Sequence, residues 1–159
     1  MKKIVVILLV VLCLMGCTAE TFEKVEDELV QQVMHPQKKV NVLLEDGAVA
    51  IRSGENTIYL CDGYEVTVQT MASGNLSATL KELTGFGRDD LVVFQTKADD
   101  LDRYECAWAA IGEGGDVAGR AVIYDDGIHH YCITVMADAK DAQALLPAWN
   151  EILDSEIFS

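Results

Sequence analysis

The sequence predicts an α+β fold, a mainly antiparallel sheet of about six strands with helices packed on its faces. Three features predict it. Short runs rich in β-branched and aromatic residues recur along the chain, and tight-turn dipeptides such as Asp62-Gly63 and Asp126-Gly127 separate neighbouring runs. Two further stretches place leucines or tryptophan at helical spacing. The expected organisation is an export signal over residues 1–16, a tether over 17–39, and one α+β domain over 40–159.

The N-terminus comes first. Lys2 and Lys3 precede an unbroken apolar run over residues 4–14. That run is too short for a transmembrane helix, which needs about 20 apolar residues. A charged start followed by a short apolar core is the pattern of a secretory signal. The run ends in Leu14-Met15-Gly16-Cys17, which resembles the lipobox of bacterial lipoproteins. The resemblance implies that the Cys17 thiolate takes a diacylglyceryl group, that the chain is cut before it, and that the new amine is acylated. Two acyl chains hold a protein to a bilayer stably where one holds only marginally. The implied location is the extracytoplasmic face of the cell membrane, with the membrane met through the lipid anchor.

Residues 18–34 carry Phe22, Val25, Leu29 and Val33 on one stripe and acids on the other, without strong caps. An amphipathic helix and extended structure both remain open. His35-Pro36 ends the segment, since the residue before proline avoids the helical region. Val40, Val42 and Leu44 alternate as a strand would, and Glu45-Asp46-Gly47 turns the chain. Residues 57–61 and 64–69 form a hairpin about Asp62-Gly63. Leu76, Leu80 and Leu83 mark a short helix between Ser73-Gly74 and Gly85, and 91–96 is an apolar strand.

Residues 103–112, 117–124 and 128–136 form a three-strand meander, turning at Glu113-Gly114-Gly115-Asp116 and Asp126-Gly127. Tyr104, Cys106 and Trp108 fall on one face of it. Tyr131, Ile133 and Val135 fall on the other, so helices are needed on both sides. The last element, over 139–154, carries a stripe of Leu146, Trp149 and Leu153 with Ile152 beside it. Pro147 should kink that helix or mark a restart.

The hairpin Leu60-Cys61-Asp62-Gly63-Tyr64-Glu65-Val66-Thr67-Val68, the strand His130-Tyr131-Cys132-Ile133-Thr134-Val135 and the closing segment over 149–158 resemble the PsbP-like proteins. The chain also resembles small lipoproteins of anaerobic Gram-positive bacteria. The resemblance covers about 100 residues and rests on pattern, not on a diagnostic motif. It implies an antiparallel sheet flanked by helices, and a scaffolding or assembly role in place of catalysis, although fold alone does not fix function.

Charge narrows the partners. The chain carries a formal net charge of −14, and loss of the first sixteen residues removes only Lys2 and Lys3, leaving −16. Phosphate backbones and anionic headgroups repel such a surface, which argues against nucleic acid. Of five cysteines, Cys13 leaves with the signal and Cys17 is alkylated, so Cys61, Cys106 and Cys132 remain. If the meander turns centre as written, Cys106 faces Ile123 and Cys132 faces Ala121, two strands apart. Two strand spacings are about 10 Å, beyond the roughly 7 Å limit for a disulfide. Only Cys61 then allows a bridge.

Catalytic and metal motifs are thin. His129 and His130 are adjacent on a strand and point to opposite faces. His35 stands apart. Asp99, Asp100 and Asp102 lack the spacing of a calcium loop. Gly112, Gly114 and Gly115 precede no helix and no Lys-Ser/Thr pair, so they read as a turn. Ser53, Ser73 and Ser77 lack a nucleophile-elbow context. Cys132 and His130 share a face but sit roughly 7 Å apart, too far for a direct hydrogen bond. The expectation is therefore no cofactor, no metal and no catalytic set. The function read from the chain is a membrane-anchored, non-catalytic binding or assembly-assisting module, its partner an envelope protein or a small ligand. The alternative is an extracytoplasmic enzyme with a dispersed active site.

Overall fold

A computed structural model describes residues 36–112, 114–155 and 158. Leu14-Met15-Gly16-Cys17, the 18–34 stripe and His35 lie outside the described residues. Residues 37–159 form one unit, built on an antiparallel sheet of seven strands, one more than expected. The strands are β1 (Val49–Ser53), β2 (Asn56–Leu60), β3 (Glu65–Ala72), β4 (Val93–Ala98), β5 (Leu101–Ala110), β6 (Val117–Asp125) and β7 (His129–Asp138), ordered β1-β2-β3-β7-β6-β5-β4. Two α-helices, α1 (Leu76–Thr84) and α2 (Ala142–Leu153), and a 3-10 turn over Arg88–Asp90 are the helical elements among the described residues.

Which segments form the strands also differs from expectation, for a physical reason. Residues 40–44 do not form the expected strand; they make a single bridge, Val40 to Phe158. Val40, Val42 and Leu44 nevertheless pack on the core. Alternation reports which side of an extended segment is buried, not whether its backbone pairs. The unexpected strand is β1, whose five residues are all exposed and so carry no core imprint.

The meander register also differs from the expected one. Cys106 pairs with Ala121, Ala121 with Thr134, and Cys132 with Ile123. Each hairpin is shifted by two residues. An even shift keeps every side chain on its face, so the division of the sheet is as expected. Cys106, Trp108, Ala121, Ile123 and Cys132 cluster with Leu80 of α1 on one face. Val122, Tyr124, Tyr131, Ile133 and Val135 cluster with Trp149, Ile152 and Leu153 of α2 on the other. Cys106 and Cys132 remain separated by β6, and Cys61, Cys106 and Cys132 are all free thiols.

Local chemistry explains both helices. Asn75 caps α1, its side chain accepting from the Ala78 amide at 3.0 Å. Gly85 ends it at φ 81°, a left-handed conformation that suits glycine, with its N–H bonded to Lys81 O. Helix α2 runs unbroken through Pro147, so the proline does not mark a restart. Pro147 is exposed, as is Gln143, whose carbonyl proline leaves without a helical donor. The defect therefore sits on the solvent side, where it costs least. The buried stripe is also rotated from the one expected. Leu146 is 39% exposed, whereas Trp149, Ile152 and Leu153 are at most 3% exposed, with Leu145 packed beside them.

Gly119 lies directly opposite Trp108. A Cβ there would sit 2.5 Å from the Trp108 ring and 2.8 Å from the Val135 carbonyl oxygen. The missing side chain leaves the room that the indole occupies beside β6.

Candidate functional site

The densest polar assembly in the described residues gathers where β6 turns into β7. It forms two networks, one on each face, because His129 and His130 point oppositely as the sequence predicts.

On the α1 face, His130 is 1% exposed. Its Nδ1 lies 2.7 Å from Thr79 Oγ1 of α1, and its Nε2 lies 3.3 Å from Asp125 Oδ2. Asp125 Oδ1 accepts from the Ser73 hydroxyl at 2.8 Å and from the Gly127 amide at 2.7 Å. The order carboxylate, imidazole, hydroxyl is that of a nucleophile with its base and orienting group. Access decides what it can do. Thr79 is 2% exposed, so its hydroxyl is closed to solvent. Thr79 and His130 line none of five surface cavities among the described residues. In this geometry the network ties α1 to β7 and to the β6–β7 turn, satisfying groups that would be costly to bury alone.

On the opposite face, Asp126 accepts from the His129 amide at 2.6 Å, the Ile128 amide at 2.8 Å and the Tyr131 hydroxyl at 2.8 Å. Burial works against its charge. The amides of His129 and Ile128, with Tyr131, outweigh that and hold its carboxyl at about 2. The Tyr131 hydroxyl in turn accepts from the Lys38 amide at 3.0 Å. Lys38 Nζ stands 5.2 Å over the Phe158 ring. The segment leading into the domain is thereby pinned to the sheet.

The thiols are poor nucleophiles. Burial, with a smaller push from the Glu82 charge, raises the Cys132 thiol to about 12. Its Sγ points to the His130 carbonyl oxygen at 3.7 Å, not to the imidazole. Burial also raises Cys106. Cys61 is raised by burial, against a bond from Tyr64 and with a push from Glu45.

The remaining sequence candidates resolve as local structure. Asp99 and Asp100 turn β4 into β5, and Asp102 pairs with Lys97 at 2.9 Å. Gly112 and Gly115 close the β5–β6 loop with a 3.1 Å backbone bond. Ser77 accepts from the Arg88 amide. No group of three or more His, Cys, Asp or Glu among the described residues could hold a metal ion.

A cavity of about 440 Å³ opens beside Arg103, Tyr124 and Asp154. Its one cation is already spent on the fold. Arg103 donates to Tyr124 Oη, the Leu153 carbonyl and Asp154, and pairs with Glu105. Arg120 joins the same Glu105 and reaches Asn150 of α2. These residues clamp α2 onto the sheet.

Thr79, Asp125 and Ser73 are the site residues that sequence reasoning did not bring together. The correct register places Asp125 opposite His130, so a two-residue error in the hairpin hid the pair. Thr79 lies 51 residues from His130, and nothing local announces it.

No family model matches the chain, and no curated protein does. Among solved structures it is similar to LpqN of Mycobacterium tuberculosis, described as involved in cell envelope biogenesis. The two share 8% identity over 80% of this chain and 88% of that one, with a TM-score of 0.49. A likeness of that degree assigns neither a fold family nor a function.

Proposed function

We propose that this chain is an extracytoplasmic lipoprotein, anchored to the cell membrane through Cys17, whose domain works as a non-catalytic binding or assembly-assisting module. The observation that carries the anchor is the run Leu14-Met15-Gly16-Cys17 after a charged start and a short apolar core. No helix of the described residues is long and apolar enough to cross a membrane, so the anchor is the attachment this reading requires. The non-catalytic part is supported by the best-formed acid–base cluster, Asp125-His130-Thr79, in which the imidazole and the hydroxyl are buried and partnered with each other while only the carboxylate of Asp125 is partly exposed. The PsbP-like resemblance of the hairpin, the central strand and the C-terminal segment agrees in kind with an assembly role.

Fatty-acid labelling in the native cell tests the anchor. The wild-type chain takes up label, and Cys17→Ala does not, accumulating as longer precursor or released protein. Labelling of Cys17→Ala would overturn the reading. In-cell crosslinking with identification of the captured protein then tests the binding role.

A further inference from the structure

We propose that the exposed pair Lys38-Lys39 is a proteolytic release site, at which a basic-specific protease cuts before Val40 and frees the domain from the segment that precedes it. Release from the membrane, the consequence of the cut, rests on the anchored-lipoprotein reading; the cut itself does not.

Adjacent basic residues occur twice in this acidic chain, at Lys2-Lys3 and at Lys38-Lys39. The second pair closes the tether. Residues 36–39 are exposed and belong to no helix or strand. Proteins are nicked preferentially at exposed segments of this kind, and an extended backbone is the form in which peptides add to a partner's edge. Lys39 takes part in no described ion pair, so its ammonium is available to an acidic specificity pocket.

The other basic residues of the described chain are held. Arg52, Lys97, Arg103 and Arg120 lie within strands, Lys81 within α1 and Arg88 within the 3-10 turn. Lys140 stands in a turn, but it pairs with Asp138 at 3.2 Å and lies 4.0 Å from Asp141. Exposure, extended backbone and an uncommitted cation coincide at Lys39.

A cut there spares the domain. Val40 is the first side chain to pack on the core, and it bridges to Phe158. Hydrolysis adds water across the Lys39–Val40 amide: the C–N bond breaks, Lys39 keeps a carboxylate, and Val40 gains an ammonium. Val40, Val42 and Leu44 stay with the sheet. The contacts that leave are the Lys38 amide on the Tyr131 hydroxyl at 3.0 Å and Lys38 Nζ over the Phe158 ring at 5.2 Å. In the uncut chain the same two contacts hold the segment down, and they must open before it enters a protease cleft. Cleavage of a transiently opened segment follows the population of the open form, so the Tyr131 hydroxyl sets the rate.

The test uses native cells making the full-length chain and labelled with fatty acid, separated into cells and medium. Intact-mass measurement of the medium should find an unlabelled chain beginning at Val40, while the uncut chain in the cells carries label. Lys38→Gln with Lys39→Gln should keep the label and lower release about thirtyfold, because a specificity pocket loses its buried charge partner. Tyr131→Phe, which removes only the hydroxyl, should raise release about fivefold, the effect of one lost hydrogen bond. The proposal falls if nothing is released, if the released chain begins elsewhere (at Val25 after Lys24, for example), if the double variant is released as fast as the wild type, or if Tyr131→Phe changes nothing. A Val40 terminus arising from an unlabelled chain would uphold the cut and overturn the anchor.

Discussion

Asp126 shows at the residue scale how one carboxylate can organise a turn and a tether together. Its oxygens take two amides of the β6–β7 turn and the Tyr131 hydroxyl, and that hydroxyl holds the Lys38 amide. The folded chain holds this group at about 2, against an ordinary value of 3.8. A carboxyl whose folded value is depressed contributes stability above its ordinary value and loses it as pH falls through the folded one. The window is therefore from about pH 4 down to pH 2. Urea melts of the wild type across that range should lose more stability than those of Asp126→Asn, and the two curves should converge near pH 2. Parallel curves would show that Asp126 is not the anchor of the turn. His130 on the other face is bonded through Asp125 and Thr79 instead, so adjacent histidines serve separate networks.

At the element scale the energetics concentrate in α2. Trp149 is 1% exposed and packs with Ile152 and Leu153 on the Tyr131-Ile133-Val135 face, whereas Leu146 stands on the solvent side. Trp149→Ala should cost about 3–5 kcal/mol, as large aromatic truncations in cores do. Leu146→Ala should cost under about 1 kcal/mol, because a surface truncation leaves no cavity. Chemical denaturation of both variants checks the rotation of the stripe, and equal losses would restore the stripe expected from sequence. That stripe shows what was legible. Helical spacing located α1 and α2, and alternation located the paired faces of the meander, since both record burial directly. Leu146 and Ile152 were exchanged because both flank Trp149 at plausible spacing, and only packing against β6 and β7 selects between them. Strand β1 was missed because its five residues are all exposed and its alternation is only Val49 and Ile51, too short to mark a face, and the Asp125-His130-Thr79 cluster because its members meet through register and topology.

At the scale of the whole molecule, the proposed anchor and the surface charge divide the work of location. After loss of residues 1–16 the chain would carry −16, which anionic headgroups repel over a Debye length of about 10 Å at 0.1 M salt. The described residues supply no membrane-spanning helix to offset that repulsion. On the proposed reading the two acyl chains on Cys17 therefore hold the protein against its own charge, each buried methylene contributing about 0.8 kcal/mol. Vesicle flotation separates the two contributions. The lipidated chain should float with vesicles whether they are neutral or anionic. The chain starting at residue 18 should stay in the dense fraction with both, most completely with anionic vesicles at low salt, where repulsion is least screened. Flotation of the unlipidated chain with anionic vesicles would reveal a membrane-binding surface in the protein itself, and the anchor would then no longer be the sole attachment.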